Sequence, residues 1–176
     1  MTERVAPSIR RANVADAGLL AELGARTFAA TFAADNKPED MAAYLAAAFS
    51  PRQQAAELSD PRATFLLAEV DGRAAGYAAL RAGDAPDCVT GAKPVELLRL
   101  YVMREWFGRG VGEALMRACV DEAQAAGYQT MWLGVWEHNG RAQSFYRKWG
   151  FRLVGEHIFQ LGSDAQTDLL MERALT

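Results

Sequence analysis

The spacing of apolar residues along this chain changes period several times, and each change marks an element. Ser8 to Ala12 reads as a short first strand. Asn13 or Asp16 then caps a helix that carries Leu19, Leu20, Leu23 and Phe28 towards Phe32. Asn36 and Pro38 break that helix and Pro38 opens another, through Met41, Tyr44, Leu45 and Phe49. Ser50-Pro51 starts a third helical piece, to about Leu58. Thr64 to Val70 and Arg73 to Arg81 flank Asp71-Gly72, a hairpin signal, and Val95 to Met103 is a further strand. A long helix follows from Gly110 to Ala126, with Gly127 as its C-terminal cap. Thr130 to Trp136 reads as a strand. Asn139 caps a short helix with Ala142, Phe145, Tyr146 and Trp149 on one face. Phe151 to Leu161 and Thr167 to Ala174 close the chain as two strands. The predicted fold class is mixed α/β (α+β), one domain over residues 1–176. Its largely antiparallel sheet has about seven strands, flanked by about four helices.

Composition narrows the function classes. Half of the residues, 51%, are apolar and 23% are charged, as in ordinary globular chains. A net charge of -3 argues against non-specific nucleic-acid binding. No apolar run is long enough to span a bilayer, and the N-terminal residues lack a signal peptide's apolar core. Cys88 and Cys119 read as reduced thiols, so the expected compartment is the cytoplasm. With only His138 and His157 present, no metal is expected.

Chemistry concentrates in two stretches. The first is Leu97 to Met116, where a strand runs into Gly108, Gly110 and Gly112 and then a helix. Glycines let backbone approach an anion closely, and the first helical N–H groups point at it. The spelling is neither the dinucleotide G-x-G-x-x-G nor a Walker A loop, because Glu113 and Ala114 follow Gly112. Taken alone, a tight turn without a ligand and a phosphate cradle are equally open. The second stretch runs from Asn139 to Phe151. Taken alone, Asn139 is a helix cap and Tyr146 an aromatic of the apolar face whose hydroxyl needs a partner if buried.

Together the two stretches resemble the GNAT superfamily of N-acetyltransferases. The phosphate signature there is Gln/Arg-x-x-Gly-x-Gly/Ala, matched by Phe107-Gly-Arg-Gly110-Val-Gly112. The C-terminal signature Asn-x-x-Ala-x-x-Phe-Tyr-x-x-x-Gly-Phe is matched by Asn139, Ala142, Phe145, Tyr146, Gly150 and Phe151. The one departure is Phe107, which stands where a Gln or Arg is usual. A narrower resemblance, to PaiA-type spermidine/spermine N-acetyltransferases, rests on two segments. One is the tail from Val154 to Leu161 with Gln166-Thr-Asp168-Leu-Leu-Met171. The other comprises Thr27-Phe28, Thr31-Phe32, Asn36, Glu39-Asp40 and Tyr44.

The resemblance implies a GNAT fold and direct transfer of acetyl from acetyl-CoA to a primary amine, with a polyamine favoured. Acetyl-CoA is then the cosubstrate and a small-molecule amine the partner. Gly108, Arg109, Gly110, Val111, Gly112 and Glu113, with Phe107 before them, would hold the pyrophosphate, chiefly through backbone N–H groups. Leu100, Tyr101 and Val102 would pair with the pantetheine amides, the Val102 N–H polarising the thioester carbonyl. Asn139 would bind the pantetheine arm. Tyr146 is the candidate general acid, since a phenol keeps its proton at neutral pH.

Glu96 is the candidate base, on the same strand face as Leu98, Leu100 and Val102 by alternation. A strand-end carboxylate in water is the other reading, with a water chain as base. Asp35 and Glu39 would attract a cationic acceptor, although acids at a helix start also suit the helix dipole. Other readings stay open: a protein, peptide or antibiotic amine as acceptor, or a non-catalytic acyl-CoA sensor. Oligomeric state is open too, a homodimer being common in this superfamily.

Overall fold

The computed structural model describes residues 2–176. In chain order its elements are β1 (Ser8–Arg11), α1 (Ala17–Phe32), α2 (Pro38–Ala48), α3 (Pro51–Leu58), β2 (Ala63–Val70), β3 (Arg73–Ala82), β4 (Pro94–Val102), α4 (Val111–Ala125), β5 (Thr130–Trp136), α5 (Gly140–Lys148), β6 (Arg152–Leu161) and β7 (Asp164–Ala174). The α-helices number five rather than about four, because Pro51–Leu58 closes two full turns. Local chemistry sets the boundaries. Asn13 and Asp16 form a capping box ahead of α1, and the Ser50 hydroxyl accepts from the Gln53 N–H at 3.1 Å. The last strand begins three residues earlier than its apolar pattern suggests. Asp164, Ala165 and Gln166, which hold no large apolar residue, pair with Leu161, Gln160 and Phe159 across a two-residue turn.

The seven strands form one sheet in the order β1-β2-β3-β4-β5-β7-β6. All neighbours are antiparallel except β4 and β5. Helix α4 buries Val111, Leu115, Met116, Cys119 and Ala123, an apolar stripe at helical spacing, against one face. Helices α1 to α3 cover the other. A Cβ on Gly24 of α1 would meet the Tyr77 hydroxyl, while a Cβ on Gly112 of α4 would meet Val102. Both cysteines are unpaired, and burial pushes the Cys119 thiol up to about 12. Among the described residues no helix is long and apolar enough to cross a membrane.

Strand β4 carries an irregularity that reverses one expectation. Its register against β3 slips between Leu97, opposite Leu80, and Arg99, opposite Ala79, so that Leu98 is an extra residue. Residues directly opposite each other share a face. Glu96, Arg99 and Tyr101 lie opposite Arg81, Ala79 and Tyr77, which alternate onto one face, that of α1. Leu97, Leu100 and Val102 take the α4 face. Glu96 therefore does not share a face with Leu100 and Val102, because the bulge flips the alternation between them.

Candidate active site

The parallel pairing of β4 with β5 stops early. It covers only Pro94 with Thr130, Val95 with Met131 and Glu96 with Trp132. Beyond that point the strands diverge, and each keeps a partner on its outer side only. The Met103 N–H donates to the Ala75 carbonyl across β3, 2.9 Å. Backbone groups alternate sides along a strand, so the N–H and C=O of Leu100 and Val102 point into the gap. On the opposite wall the Glu137 N–H donates to the Thr167 carbonyl, 3.0 Å, which turns the N–H and C=O of Gly134 into the same gap. Buried backbone groups of this kind need partners. A ligand with an extended, amide-bearing chain supplies them.

The wide end of the gap meets the start of α4. Gly108 and Gly110 adopt φ of 71° and 95°, left-handed values that residues with a Cβ avoid. They turn the chain so that α4 begins without a side-chain cap. Its first closing bond is Ala114 N–H to Gly110 O at 3.0 Å, which leaves the N–H groups of Val111, Gly112 and Glu113 free at the positive end of the dipole. Gly112 packs against Phe145 of α5 and Val102 of β4, joining turn, cleft and α5.

Side chains around the turn are arranged differently from the sequence expectation. The Arg109 guanidinium stacks over Trp106 at 4.5 Å and its Nε donates to the Glu3 carbonyl at 3.1 Å. It is engaged beside the turn, not aimed into it. Glu113 pairs with Arg4, whose guanidinium also lies beside Gly110. That ion pair offsets a negative charge which would oppose an anion at the turn. Phe107 is 38% exposed and carries the Arg141 guanidinium over its ring, 3.5 Å from the centroid. Arg141 thus brings a cation from α5 to the place where the usual signature has Gln or Arg. Sequence reading missed it. The available signal was an aromatic at a charged position combined with an arginine two residues after the Asn139 cap.

On the α4 side, Tyr146 is 9% exposed and packs edge-on against Phe145 and Phe151. Burial drives its phenol well above the ordinary range, so it stays protonated. Asn139 caps α5 through Oδ1, which accepts from the Ala142 N–H at 3.2 Å, and this leaves its amide N–H groups for another partner. Tyr101 faces the other way, edge-on to Tyr77 at 5.5 Å, and burial pushes it up to about 12. Leu100, Val102 and the glycine turn thus follow one another along the β4 wall of the gap, while Tyr101 turns its backbone groups towards β3 and its side chain to the α1 face.

Three other sequence candidates stand apart. Glu96 lies at the closed end of the β4–β5 pair, where Arg81 Nη2 binds its carboxylate at 2.8 Å. We expect Glu96→Gln to leave the pH–rate profile in place and to lose far less than the ~10² that loss of a general base costs at minimum. Disappearance of the acidic limb in that profile would return Glu96 to the role. Asp35 and Glu39 are exposed. The side chains of their segment that reach the sheet are instead Phe32, against Trp136 at 4.9 Å, and Asn36, whose Oδ1 accepts from Gln166 Nε2 at 2.6 Å. Asp40 also reaches across, taking the Ser163 hydroxyl at 2.8 Å.

Comparison with known proteins agrees with this fold. Residues 25–151 match the model of the acetyltransferase (GNAT) family. An uncharacterized N-acetyltransferase of Lactobacillus delbrueckii subsp. lactis is 38% identical over 85% of this chain and 86% of its own. Another, from Mycobacterium tuberculosis, is 39% identical over 91% of this chain and 98% of its own. The crystal structure of a PaiA N-acetyltransferase from Thermoplasma acidophilum, in complex with coenzyme A, superposes with a TM-score of 0.77. It covers 97% of this chain and 99% of that one at 23% identity, which shows a shared fold.

Proposed function

The chain belongs to the acetyltransferase (GNAT) family, an acyltransferase by membership, and from that premise we propose that it moves acetyl from acetyl-CoA to a cationic small-molecule amine, with polyamines as the favoured acceptors. The observation that carries this reading is the β4–β5 divergence running into an uncapped helix start. An extended pantetheine fits the strand-like edges of Leu100, Val102 and Gly134, and a pyrophosphate fits the free N–H groups of Val111, Gly112 and Glu113.

Each step is assigned to a residue of this chain. Gly108, Gly110 and the first turn of α4 bind phosphate, and Arg141 on Phe107 adds the charge that the signature position lacks. Asn139 donates its amide to the pantetheine arm. The Val102 N–H polarises the thioester carbonyl, which is the electrophile that acetyl-CoA supplies when bound. The acceptor's ammonium proton leaves to water in the open cleft. The amine nitrogen then forms its bond to the acetyl carbon as the carbon–sulfur bond breaks, Tyr146 gives its proton to the departing sulfur, and the proton that the nitrogen sheds on becoming an amide returns through cleft water to the Tyr146 phenolate.

The preference for polyamines is supported by the α1 face, where Trp136, Phe32, Phe28, Tyr44 and Phe159 form a run of aromatic rings. Such rings suit both methylene chains and cations. Exposed Asp35 and Glu39 add negative charge nearby in the chain. The edge strand β6 exposes Leu153 and Ile158, which supports pairing with a second copy of the chain.

The test is a panel of spermidine, spermine, amino acids, aminoglycosides and peptides with acetyl-CoA, read by release of free thiol. Release that depends on amine and is greatest with polyamines supports the proposal. Thiol release indifferent to amine, or none, overturns it. A second check concerns the cradle. Arg141→Ala is expected to raise KM for acetyl-CoA by about three- to tenfold at nearly constant kcat, the scale of one cation–π and charge contact. An unchanged KM removes Arg141 from the binding site.

A further inference from the structure

Asp168 on β7 is a carboxylate with an unusual lack of partners. Its side chain is only 16% exposed, and among the described residues no hydrogen-bond donor reaches it. The nearest cationic group is the imidazole of His157 on β6, with Nε2 3.7 Å from Oδ2. Burial holds its carboxyl above the usual carboxylate range, with His157 pulling the other way. A structural carboxylate this buried normally collects an arginine or backbone N–H groups, as Glu172 collects Arg152 at 2.6 Å and Glu57 collects Arg99 at 2.6 Å.

Its location supplies the second observation. Asp168 lies opposite Trp136 and therefore on the α1 face of the sheet. One alternation back along β5 is Gly134, exposed in mid-strand although its neighbours Leu133 and Val135 are buried. A Cβ at Gly134 would sit 3.4 Å from Asp168 Oδ2 and 3.6 Å from His157 Cε1. The missing side chain leaves a notch, and the same residue turns its backbone N–H and C=O into the β4–β5 gap. The notch joins the gap to the Asp168 carboxylate. Tyr146 packs in the core cluster that includes the buried stripe of α4, on the other side of the sheet. The α4 side of the sheet thus offers a proton donor for a leaving thiolate, and the notch a half-buried carboxylate that no protein donor reaches among the described residues.

We infer that Asp168, reached through the Gly134 notch and flanked by His157, is the group that receives the acceptor's ammonium. An ammonium would supply the donors that Asp168 lacks and the charge that its burial disfavours leaving unpaired. The aromatic rings of Trp136 and Phe32 wall the same face. This inference rests on the acetyltransferase reading above.

The test uses the full chain, with spermidine, L-lysine, tyramine and kanamycin each varied at saturating acetyl-CoA. Asp168→Asn is expected to raise KM for every amine turned over on the order of 10- to 100-fold, the scale of a charge-assisted hydrogen bond. KM for acetyl-CoA should stay within about twofold, a split that loss of a merely structural residue would not produce. Gly134→Ala closes the notch with an ordinary van der Waals contact and is expected to shift the amine KM in the same direction. It decides the matter if Asp168→Asn does not fold. Unchanged amine KM in a folded variant overturns the inference while leaving the enzyme reading intact. Absence of thiol release by the unmodified chain with every amine overturns the acceptor reading, and the inference with it.

Discussion

Tyr146→Phe is expected to lower kcat on the order of 10²–10⁴ while leaving KM for acetyl-CoA near its original value. The substitution removes one oxygen and keeps the ring that packs on Phe145 and Phe151. Folding and the adjoining cleft wall should therefore survive. What is lost is a proton for the departing sulfur. The direction of the titration shift adds a second reading of the same residue. A phenol pushed upward by burial remains protonated as pH passes its ordinary value near 10. An acid role therefore predicts no loss of kcat between about pH 8 and 10 from this group. Steady-state kinetics across that range test both statements, and retained turnover in the phenylalanine variant removes Tyr146 from the chemistry.

The largest effect on stability is expected at Glu57. From α3, its carboxylate grips the Arg99 guanidinium of β4 with both oxygens, at 2.6 and 3.0 Å. The guanidinium also lies 5.3 Å from the Phe49 ring, and its side chain is 12% exposed. Glu57→Ala leaves that charge buried and unpaired, a change that costs about 3–5 kcal/mol. For a domain of this size the thermal midpoint should fall by roughly 6–20 °C. Replacing both partners, as in Glu57→Leu with Arg99→Met, should be much milder, because the burial of charge goes with the pair. Calorimetry of the two variants separates these outcomes. Equal losses in both would mean that packing, rather than the unpaired charge, sets the cost.

Much of this molecule was legible before its structure, and what was not has identifiable causes. Helices with a cap and a periodic face, such as the one that begins at Asn139, announce themselves locally. So do hairpins such as that at Asp71-Gly72. The cleft's backbone lining was readable because Leu100, Val102 and the glycine turn are contiguous in sequence. The failures involve side chains whose partners are distant. Alternation could not orient Glu96, since a single extra residue at Leu98 leaves no mark in the pattern. Arg109 was drawn to Trp106 and Glu3, and Arg141 to Phe107, through contacts that no local spacing encodes. Asp168 and His157 gave only the look of a polar strand until pairing set them side by side. Asp35 and Glu39 carried the negative charge that the sequence reading sought, but their orientation depended on how α1 ends.

The sheet is in effect two panels, β1 to β4 and β5 to β7, hinged by three residue pairs at one corner. An occupant of the gap that bonds to both inner edges would act as a brace across that hinge, a substitute for the strand pairing that the polypeptide omits. Rigidity at the reacting centre would then arrive with the reactant, and the empty panels would keep freedom of relative tilt. A sheet left open in the middle gives up backbone pairing throughout its working life, and in exchange the enzyme would stiffen only when it has something to transfer.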